Sequence, residues 1–339
     1  MDLPAAVLAS PRGRFFCATV AYMCSTDDRA IPGRRPRTTQ DVREVIEGVD
    51  LHAIPALSEY ELLEALEFAA DFARYWQEPD DEDRIFAQPE ITAALLPVAT
   101  TVLASPNATW WADSVHLNSQ ALVAHRYSND QWPESTTPHR PISAGLDAWR
   151  EHGVAWEAAF AGRRAEHPDT DVSGEWWSTP LPSDALSTSR TRDRIGPLEL
   201  MLEEDSLSCG EARVWPVHIR NNPRVYEISR PTDWAQLVDA YPLAVPESKR
   251  HDWFRTTGTH HRWYIPDWAA VAGDYDGVHL TLHGYLATPG TAIPLFNNAG
   301  ATVLAGWDPD ATWWLNRTVT DIDDEPALWE RHDDGWAQS

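Results

Sequence analysis

Histidine, carboxylate and hydroxyl side chains meet in one short segment, GVHLTLHGYL, which follows an Asp-Tyr-Asp-Gly turn. The segment alternates apolar and polar residues, so as a strand it would place His279, Thr281, His283 and Tyr285 on one face. Imidazole is a common base near neutral pH, and a nearby carboxylate can orient it. We therefore predict that His279 accepts a proton and that Asp276 orients its ring. The alternative is an ordinary antiparallel strand whose polar face meets solvent.

Metal and cofactor chemistry have no sequence signature here. On a strand, His279 and His283 would stand about 13 Å apart at ~3.3 Å per residue, too far to share one metal ion. The sequence contains no GxGxxG after a strand, no GxxxxGK[ST], no GxSxG, no HExxH and no EF-hand loop. We expect neither a metal nor a cofactor.

Arginine and tryptophan side chains suggest a site for an anion. Guanidinium groups bind carboxylate, sulfate and phosphate through paired N–H donors, and tryptophan rings can wall a ligand pocket. The alternative is that these arginines pair with the many carboxylates and that the tryptophans pack in the core. The predicted binding set is Arg190, Arg224, Arg255, Tyr285, Trp110, Trp307 and Trp313.

The composition restricts the class of protein and its partners. The chain has 339 residues, 18 of them Trp, and a formal net charge of −25. So many aromatic residues do not fit a disordered chain, and so much negative charge disfavours nucleic acid as a partner. Lys249 is the single lysine, an arginine bias that is typical of a GC-rich genome.

The expected location is the cytoplasm. Cys17, Cys24 and Cys209 have no zinc-ligand spacing and are an odd number, which is typical of buried thiols in a reducing compartment. The apolar run at the start is too short for a signal peptide or a membrane span. We expect no membrane association.

Helical and β-type patterns divide the chain. Ser10 and Pro11 form a helix start, and Ser58 with Glu61 forms a capping box before a long apolar stripe. Short β-type runs such as RVYEI and ATVLAGW appear in the second half. We predict an α+β protein, with an all-helical N-terminal half (1–170) packed on an α+β C-terminal half (171–339) that has a mainly antiparallel sheet. Whether the halves pack as one unit is left open.

Two pairs of segments are similar within the chain. TVLASPNATWW matches TVLAGWDPDATWW, and TDWAQLVDAY matches PDWAAVAGDY, with an aspartate at the expected N-cap of both members. They are either recurring helix starts and turns or traces of a duplication.

A resemblance rests on the segments SPRGR, ARYWQEPD, PDWAAVAGDYDGVHLT, GYL and GWDPDATWWL. Together they resemble a family of uncharacterised actinomycete proteins. Within it, the chain is similar to the enzymes of azinomycin-type antibiotic biosynthesis that close an aziridine by eliminating sulfate. This resemblance implies a cofactor-independent lyase or cyclase that acts on a small anionic amino-acid derivative. Its base would be His279 with Asp276, and its anion site Arg190, Arg224 or Arg255.

Two other functions remain open from the sequence. The acidic surface would suit an interaction or immunity protein that meets a basic protein partner. The triplet Ser187-Thr188-Ser189 is similar to the central motif of NAD-using ADP-ribosyltransferases, although the arginine before it and the Glu-x-Glu after it are not evident.

Overall fold

Helices occupy most of the first half of the chain, and all of the described strands except β1 lie in the second half. The computed structural model describes residues 2–25, 38–126, 132, 145–167, 171, 173–180, 185–206, 209–220, 222–296, 299–316, 320–332 and 335–339. The helices are α1 Leu3–Ala9, α2 Pro11–Met23, α3 Thr39–Glu47, α4 Glu59–Asp71, α5 Asp81–Phe86, α6 Pro89–Leu103, α7 Gly145–Glu166, α8 Pro231–Ala240, α9 Arg250–Thr257, α10 Trp268–Asp274 and α11 Leu282–Ala287. The strands are β1 Gln120–His125, β2 Leu186–Arg192, β3 Gly196–Pro197, β4 Glu211–Ile219, β5 Val225–Ile228, β6 Pro242–Ala244, β7 Tyr264–Pro266, β8 Gly277–Leu280, β9 Ile293–Pro294, β10 Ala301–Thr302, β11 Ala311–Trp314, β12 Thr320–Ile322, β13 Ala327–His332 and β14 Gly335–Gln338.

One ten-stranded sheet organises the described part of the chain. Its strands lie in the order β14-β13-β4-β1-β2-β11-β8-β5, with β12 also paired to β4 and β3 to β2. Among these described strands, β5 and β8 run parallel and the other neighbours run antiparallel. The predicted α+β class and mainly antiparallel sheet are confirmed.

Strand β1 connects the two halves of the chain. It belongs to the first 170 residues, yet it lies between β4 and β2 in the sheet. Both halves therefore contribute to one sheet, and the division at residue 170 stays a prediction. Residues 168–170, 172 and 181–184, where the predicted boundary falls, lie outside the described residues.

Helix α2 is the centre of the helical half. It packs against α1, α4, α5 and α6, and Phe16 and Cys17 on it are fully buried. Arg12 on the same helix is only 1% exposed. Its guanidinium lies 2.5 Å from Asp83 Oδ2 and donates to the carbonyl oxygen of Ala69 at 2.7 Å, as a buried charge requires.

The predicted helix starts are only partly correct. Ser58 and Glu61 form the capping box of α4, with the Glu61 backbone N–H donating to Ser58 Oγ at 3.2 Å. Ser10 stands at the N-cap of α2, but its hydroxyl makes no cap bond and donates instead to the carbonyl oxygen of Pro289. Asp267 caps α10 as predicted. Asp233 lies inside the first turn of α8, where Arg230 is the N-cap.

The prediction that GVHLTLHGYL forms one strand is wrong. Strand β8 ends at Leu280, and Thr281 caps α11 by accepting a hydrogen bond from the Gly284 backbone N–H at 3.0 Å. His283 and Tyr285 are therefore helical and do not share a strand face with His279. A Cβ at position 284 would lie 2.1 Å from the carbonyl oxygen of Ile228, so only glycine lets α11 approach the end of β5 this closely.

The similar TVLA segments have different structures. Trp110 and Trp111 lie in a 3-10 helix, Pro106–Ala112, whereas Trp313 and Trp314 lie in β11. The likeness of these two segments is therefore one of sequence and not of local structure.

No helix within the described ranges is, by itself, both long and apolar enough to cross a membrane. Helix α6 with the following 3-10 helix reaches that length and composition only across a bend of 89°. Cys17, Cys24 and Cys209 are buried free thiols.

Candidate functional site

His279 is held in a buried network on β8, next to the edge strand β5 of the sheet. The register of β8 pairs His279 with Thr312 of β11 and with Glu227 of β5. His279 Nδ1 lies 2.6 Å from Glu227 Oε2, and Nε2 lies 3.3 Å from Asp310 Oδ1. Arg190 of β2 continues the network by donating from Nε to Asp310 Oδ2 at 2.7 Å.

This network makes His279 unsuitable as a base. Burial lowers the pKa of His279, but hydrogen bonds and charge from Asp310 and Glu227 outweigh burial and raise it to about 9. The ring therefore carries a proton at neutral pH, and both of its nitrogens already have carboxylate partners. With 1% exposure the side chain is also out of contact with solvent. The geometry fits a structural imidazolium and not a proton acceptor.

The predicted pairing of His279 with Asp276 is wrong. Asp276 accepts hydrogen bonds from the Arg224 backbone N–H at 2.8 Å and from Asn316 Nδ2 at 3.1 Å. Backbone and side-chain donors outweigh the effect of burial and lower its pKa. Its carboxylate therefore fastens the turn before β8, and Glu227 and Asp310 take the place predicted for it.

The predicted anion-binding arginines do not meet in one place. Arg190 is 3% exposed. It donates hydrogen bonds to Asp310 and, at 3.2 Å, to the carbonyl oxygen of Ser114, and its guanidinium lies over the ring of Trp110. Arg224 is exposed, with Nε 3.6 Å from Asp276 Oδ2.

The predicted aromatic walls are core residues. Trp307 is fully buried against Trp234 and Trp268, and its indole N–H donates to the carbonyl oxygen of Ala311. Trp313 is 7% exposed within β11. Trp110, Trp307 and Trp313 thus contribute to packing, which is the alternative that the sequence left open.

Tyr285 lies beside a group of buried carboxyl groups. Burial raises its pKa well above the usual value, and the charge of Glu204 adds to this. Glu204 accepts from the backbone N–H groups of Gly306 and Trp307 at 2.9 and 3.1 Å, and burial followed by the charge of Asp308 raises its pKa to about 8. The group therefore holds a protonated carboxyl at neutral pH and is unsuited to binding an anion.

A cavity large enough for a small ligand lies elsewhere, between α9 and the C-terminal end of α7. It has a volume of about 360 Å³, within the usual range for small-ligand sites. Arg255 is the member of the predicted set that lines it. We call it the α9 pocket; its lining residues are Glu78, Phe160, Arg164, Asp171, Glu247, Arg250, His251, Phe254, Arg255 and His260.

Helix α9 positions one wall of this pocket. Trp253 of α9 is fully buried, and its indole N–H donates to the carbonyl oxygen of Trp176 at 2.7 Å, which anchors the helix to the core. The helix ends at Gly258, which has a φ of +68°, so the chain turns back. His260 then stacks on Phe254 with ring centroids 4.0 Å apart.

Every carboxylate of the α9 pocket lies beside a basic side chain. Glu78 lies 3.0 Å from Arg84, Glu247 pairs with Arg164, and Asp171 Oδ1 lies 3.2 Å from His251 Nδ1.

Arg250 and Arg255, by contrast, have no carboxylate within 4 Å anywhere in the described part of the chain. Two unpaired guanidinium groups in a protein of net charge −25 indicate a place for an anion.

His251 has the arrangement that was expected of His279. Asp171 Oδ1 lies 3.2 Å from Nδ1, and the His251 side chain lines the pocket. The sequence contained a signal for it, because His251, Asp252, Arg255, His260 and His261 are crowded into the segment HDWFRTTGTHHRW. What the sequence did not show is that Asp171, eighty residues away, supplies the carboxylate.

Among the described residues, no group of three or more His, Cys, Asp or Glu side chains is arranged to hold a metal ion. Comparisons with protein-family models, with curated proteins and with solved structures gave no match to this chain.

Proposed function

We propose that this protein is an enzyme that binds a small anionic substrate in the α9 pocket and catalyses an internal displacement with His251 as the base. The observation that carries the proposal is that Arg250 and Arg255 have no carboxylate partner among the described residues, in a cavity whose three carboxylates each lie beside another basic side chain. A bound anion would supply the missing partner for both guanidinium groups.

The lining also indicates the kind of substrate. Phe160 and Phe254 offer apolar surface, whereas the arginines offer donors for sulfate, phosphate or carboxylate. A compact molecule with one anionic group and a short apolar portion fits this combination. A sulfate ester of an amino-acid derivative belongs to this class, and it is the substrate type that the sequence resemblance implies.

The reaction would need only a base and an anion site. The substrate amine attacks the carbon that bears the sulfate, so one N–C bond forms and one C–O bond breaks. His251 Nε2 takes the proton from the nitrogen, and sulfate departs with both electrons of the C–O bond. Arg250 and Arg255 stabilise the charge that grows on the leaving oxygen. The products are an aziridine and free sulfate.

Sulfate release from aminoethyl sulfate, the simplest molecule with this arrangement, tests the reaction. We expect the wild-type protein to release sulfate and His251→Asn to release it at a rate lower by roughly 100-fold or more, the usual contribution of a positioned base. Asp171→Asn should lower the rate less, because it only orients the ring. Equal rates for wild type and His251→Asn would overturn the catalytic assignment.

Calorimetric titration with sulfate tests the anion site separately. Arg255→Gln should weaken sulfate binding by roughly 10- to 100-fold, because it removes a charge-assisted donor pair. Arg43→Gln is the matched control, since it removes the same charge from an exposed i,i+4 pair on α3. Wild-type binding no tighter than that of Arg255→Gln would mean that the α9 pocket is not an anion site.

The net charge of −25 supports a second candidate, an interaction protein with a basic partner. Recovery of one basic protein in a stable complex that dissociates as salt rises would favour it. Retention of the complex by Arg255→Gln would show that its surface is separate from the α9 pocket.

A further inference from the structure

Lys249, the chain's single lysine, lies in a second cavity on the other side of the turn that precedes α9. This cavity has a volume of about 100 Å³ and shares none of its lining residues with the α9 pocket. Trp149, Trp156 and Trp177 form much of its wall, with Leu243 and other apolar residues. We call it the tryptophan pocket.

The ammonium group of Lys249 is poorly compensated for a buried charge. The residue is 4% exposed, and the closest carboxylate oxygen, Glu175 Oε2, is 3.8 Å from Nζ. No hydrogen bond of Nζ occurs among the described residues, and its other contact is the ring of Trp177, 5.4 Å away. An amine in such surroundings favours its neutral form.

The other charged groups near Lys249 do not return its pKa to the usual value. Burial lowers its pKa to about 8, although Glu175, Glu157 and Asp252 oppose this effect. The carboxylate of Glu157 is used by the backbone N–H groups of Glu247 and Ser248, each at 2.9 Å. That contact holds the turn against α7 and fixes the position of the lysine stem.

We propose that Lys249 is a nucleophilic amine that forms an imine with a small uncharged aldehyde or ketone bound in the tryptophan pocket. A desolvated lysine against an apolar wall is the arrangement that makes an amine reactive towards carbonyl carbon. The nearby carboxylates of Glu175 and Glu157 disfavour an anionic keto acid, which is why the ligand is assigned as uncharged.

The chemical step is balanced without any further reagent. Neutral Nζ attacks the carbonyl carbon and forms an N–C bond, and the carbonyl oxygen becomes a hydroxyl. Nζ then loses its remaining proton, the hydroxyl leaves as water, and a C=N bond results. Glu175 Oε2 lies 3.8 Å from Nζ, and through one water molecule it would receive and return the protons.

The cavity also limits the size of the ligand. At roughly 30 Å³ of liquid volume per water molecule, 100 Å³ corresponds to about three waters. Propanal, with four non-hydrogen atoms, is close to this volume, whereas benzaldehyde, with eight, is about twice as large as propanal. The two aldehydes therefore distinguish a cavity from a merely reactive amine.

Reductive trapping with cyanoborohydride gives a clear experiment, because a single lysine makes the site of modification unambiguous. The wild-type protein is incubated with propanal at neutral pH, and the modified position is found by peptide mass mapping. We expect one propyl group on Lys249, little modification by benzaldehyde, and none at position 249 in Lys249→Met.

The matched control moves the lysine by one residue. The double variant Lys249→Arg with Arg250→Lys keeps the charge and the lysine count but puts the amine at an exposed position. Since a solvated lysine has a pKa near 10.4, its neutral fraction at neutral pH and its labelling rate should be lower on the order of 100-fold. Equal rates in the two proteins, or faster labelling of the wild type by benzaldehyde than by propanal, would overturn the proposal.

Discussion

Replacement of His279 by glutamine tests the buried network most directly. The wild-type imidazolium is flanked by Glu227 and Asp310, and its pKa is raised from 6.5 to about 9. At about 1.36 kcal/mol per pKa unit, the native state favours the charged ring by about 3 kcal/mol. Glutamine has no charge to offset the buried Asp310 and the partly exposed Glu227, so His279→Gln should lose about 3–5 kcal/mol of stability, as when one partner of a buried ion pair is removed.

The contribution of the charged His279 ring to stability should depend on pH. A base whose pKa is raised in the folded state contributes its full stability below its unfolded value, near 6.5, and loses it as pH rises towards 9. Urea unfolding followed by tryptophan fluorescence across this interval should show that loss in the wild type and a smaller slope in His279→Gln. His218→Gln is the control, because His218 and Asp323 form an exposed pair that contributes about 1 kcal/mol at most. If His279→Gln lowers the free energy of unfolding by less than about 1 kcal/mol relative to wild type, the network is not a source of stability.

Two further variants test the core. Burial raises the pKa of Glu204 to about 8. The protonated carboxyl therefore contributes its full stability below pH 4.5 and loses it as pH rises through 8. The melting temperature of Glu204→Gln should change less than that of the wild type between acidic and alkaline pH. Gly284→Ala would place a Cβ 2.1 Å from the carbonyl oxygen of Ile228, and it should lower the free energy of unfolding in urea by about 3 kcal/mol or more. Gly162→Ala is the control, because position 162 on α7 is open; it should be neutral or stabilising by up to ~1 kcal/mol. Similar unfolding midpoints for the two alanine variants would contradict the close approach of α11 to β5.

Local sequence signals predicted individual elements well and failed where a cap interrupts a pattern. The capping box of Ser58 and Glu61 was readable because both partners lie within one turn. The alternation of GVHLTLHGYL extended through Thr281, so the pattern gave no warning that this residue caps a helix. The requirement for glycine at position 284 comes from the backbone of β5, which no local pattern reports.

The partners of the candidate site residues could not be predicted, because they come from distant parts of the chain. His279 was selected as a base with Asp276, and its actual partners Glu227 and Asp310 are 52 and 31 residues away. They meet because β5 and β11 are both neighbours of β8, and strand order is not visible in sequence periodicity. Arg255 was selected for its charge. It is a candidate for binding an anion because it has no carboxylate partner among the described residues, and sequence alone cannot show this.

The protein's own field separates the two functional candidates. A net charge of −25 repels an anionic substrate at long range, although Arg250 and Arg255 attract it at short range. Added sodium chloride shortens the Debye length to about 10 Å at 0.1 M and so screens the distant carboxylates more than the contacting arginines. Association of inorganic sulfate with the wild type, followed by stopped flow, should therefore become faster between low salt and about 0.1 M. A basic protein partner gains from the same field and should associate more slowly as salt rises. A sulfate association rate that falls steadily with salt would mean that its binding is governed by an exposed basic patch and not by the α9 pocket.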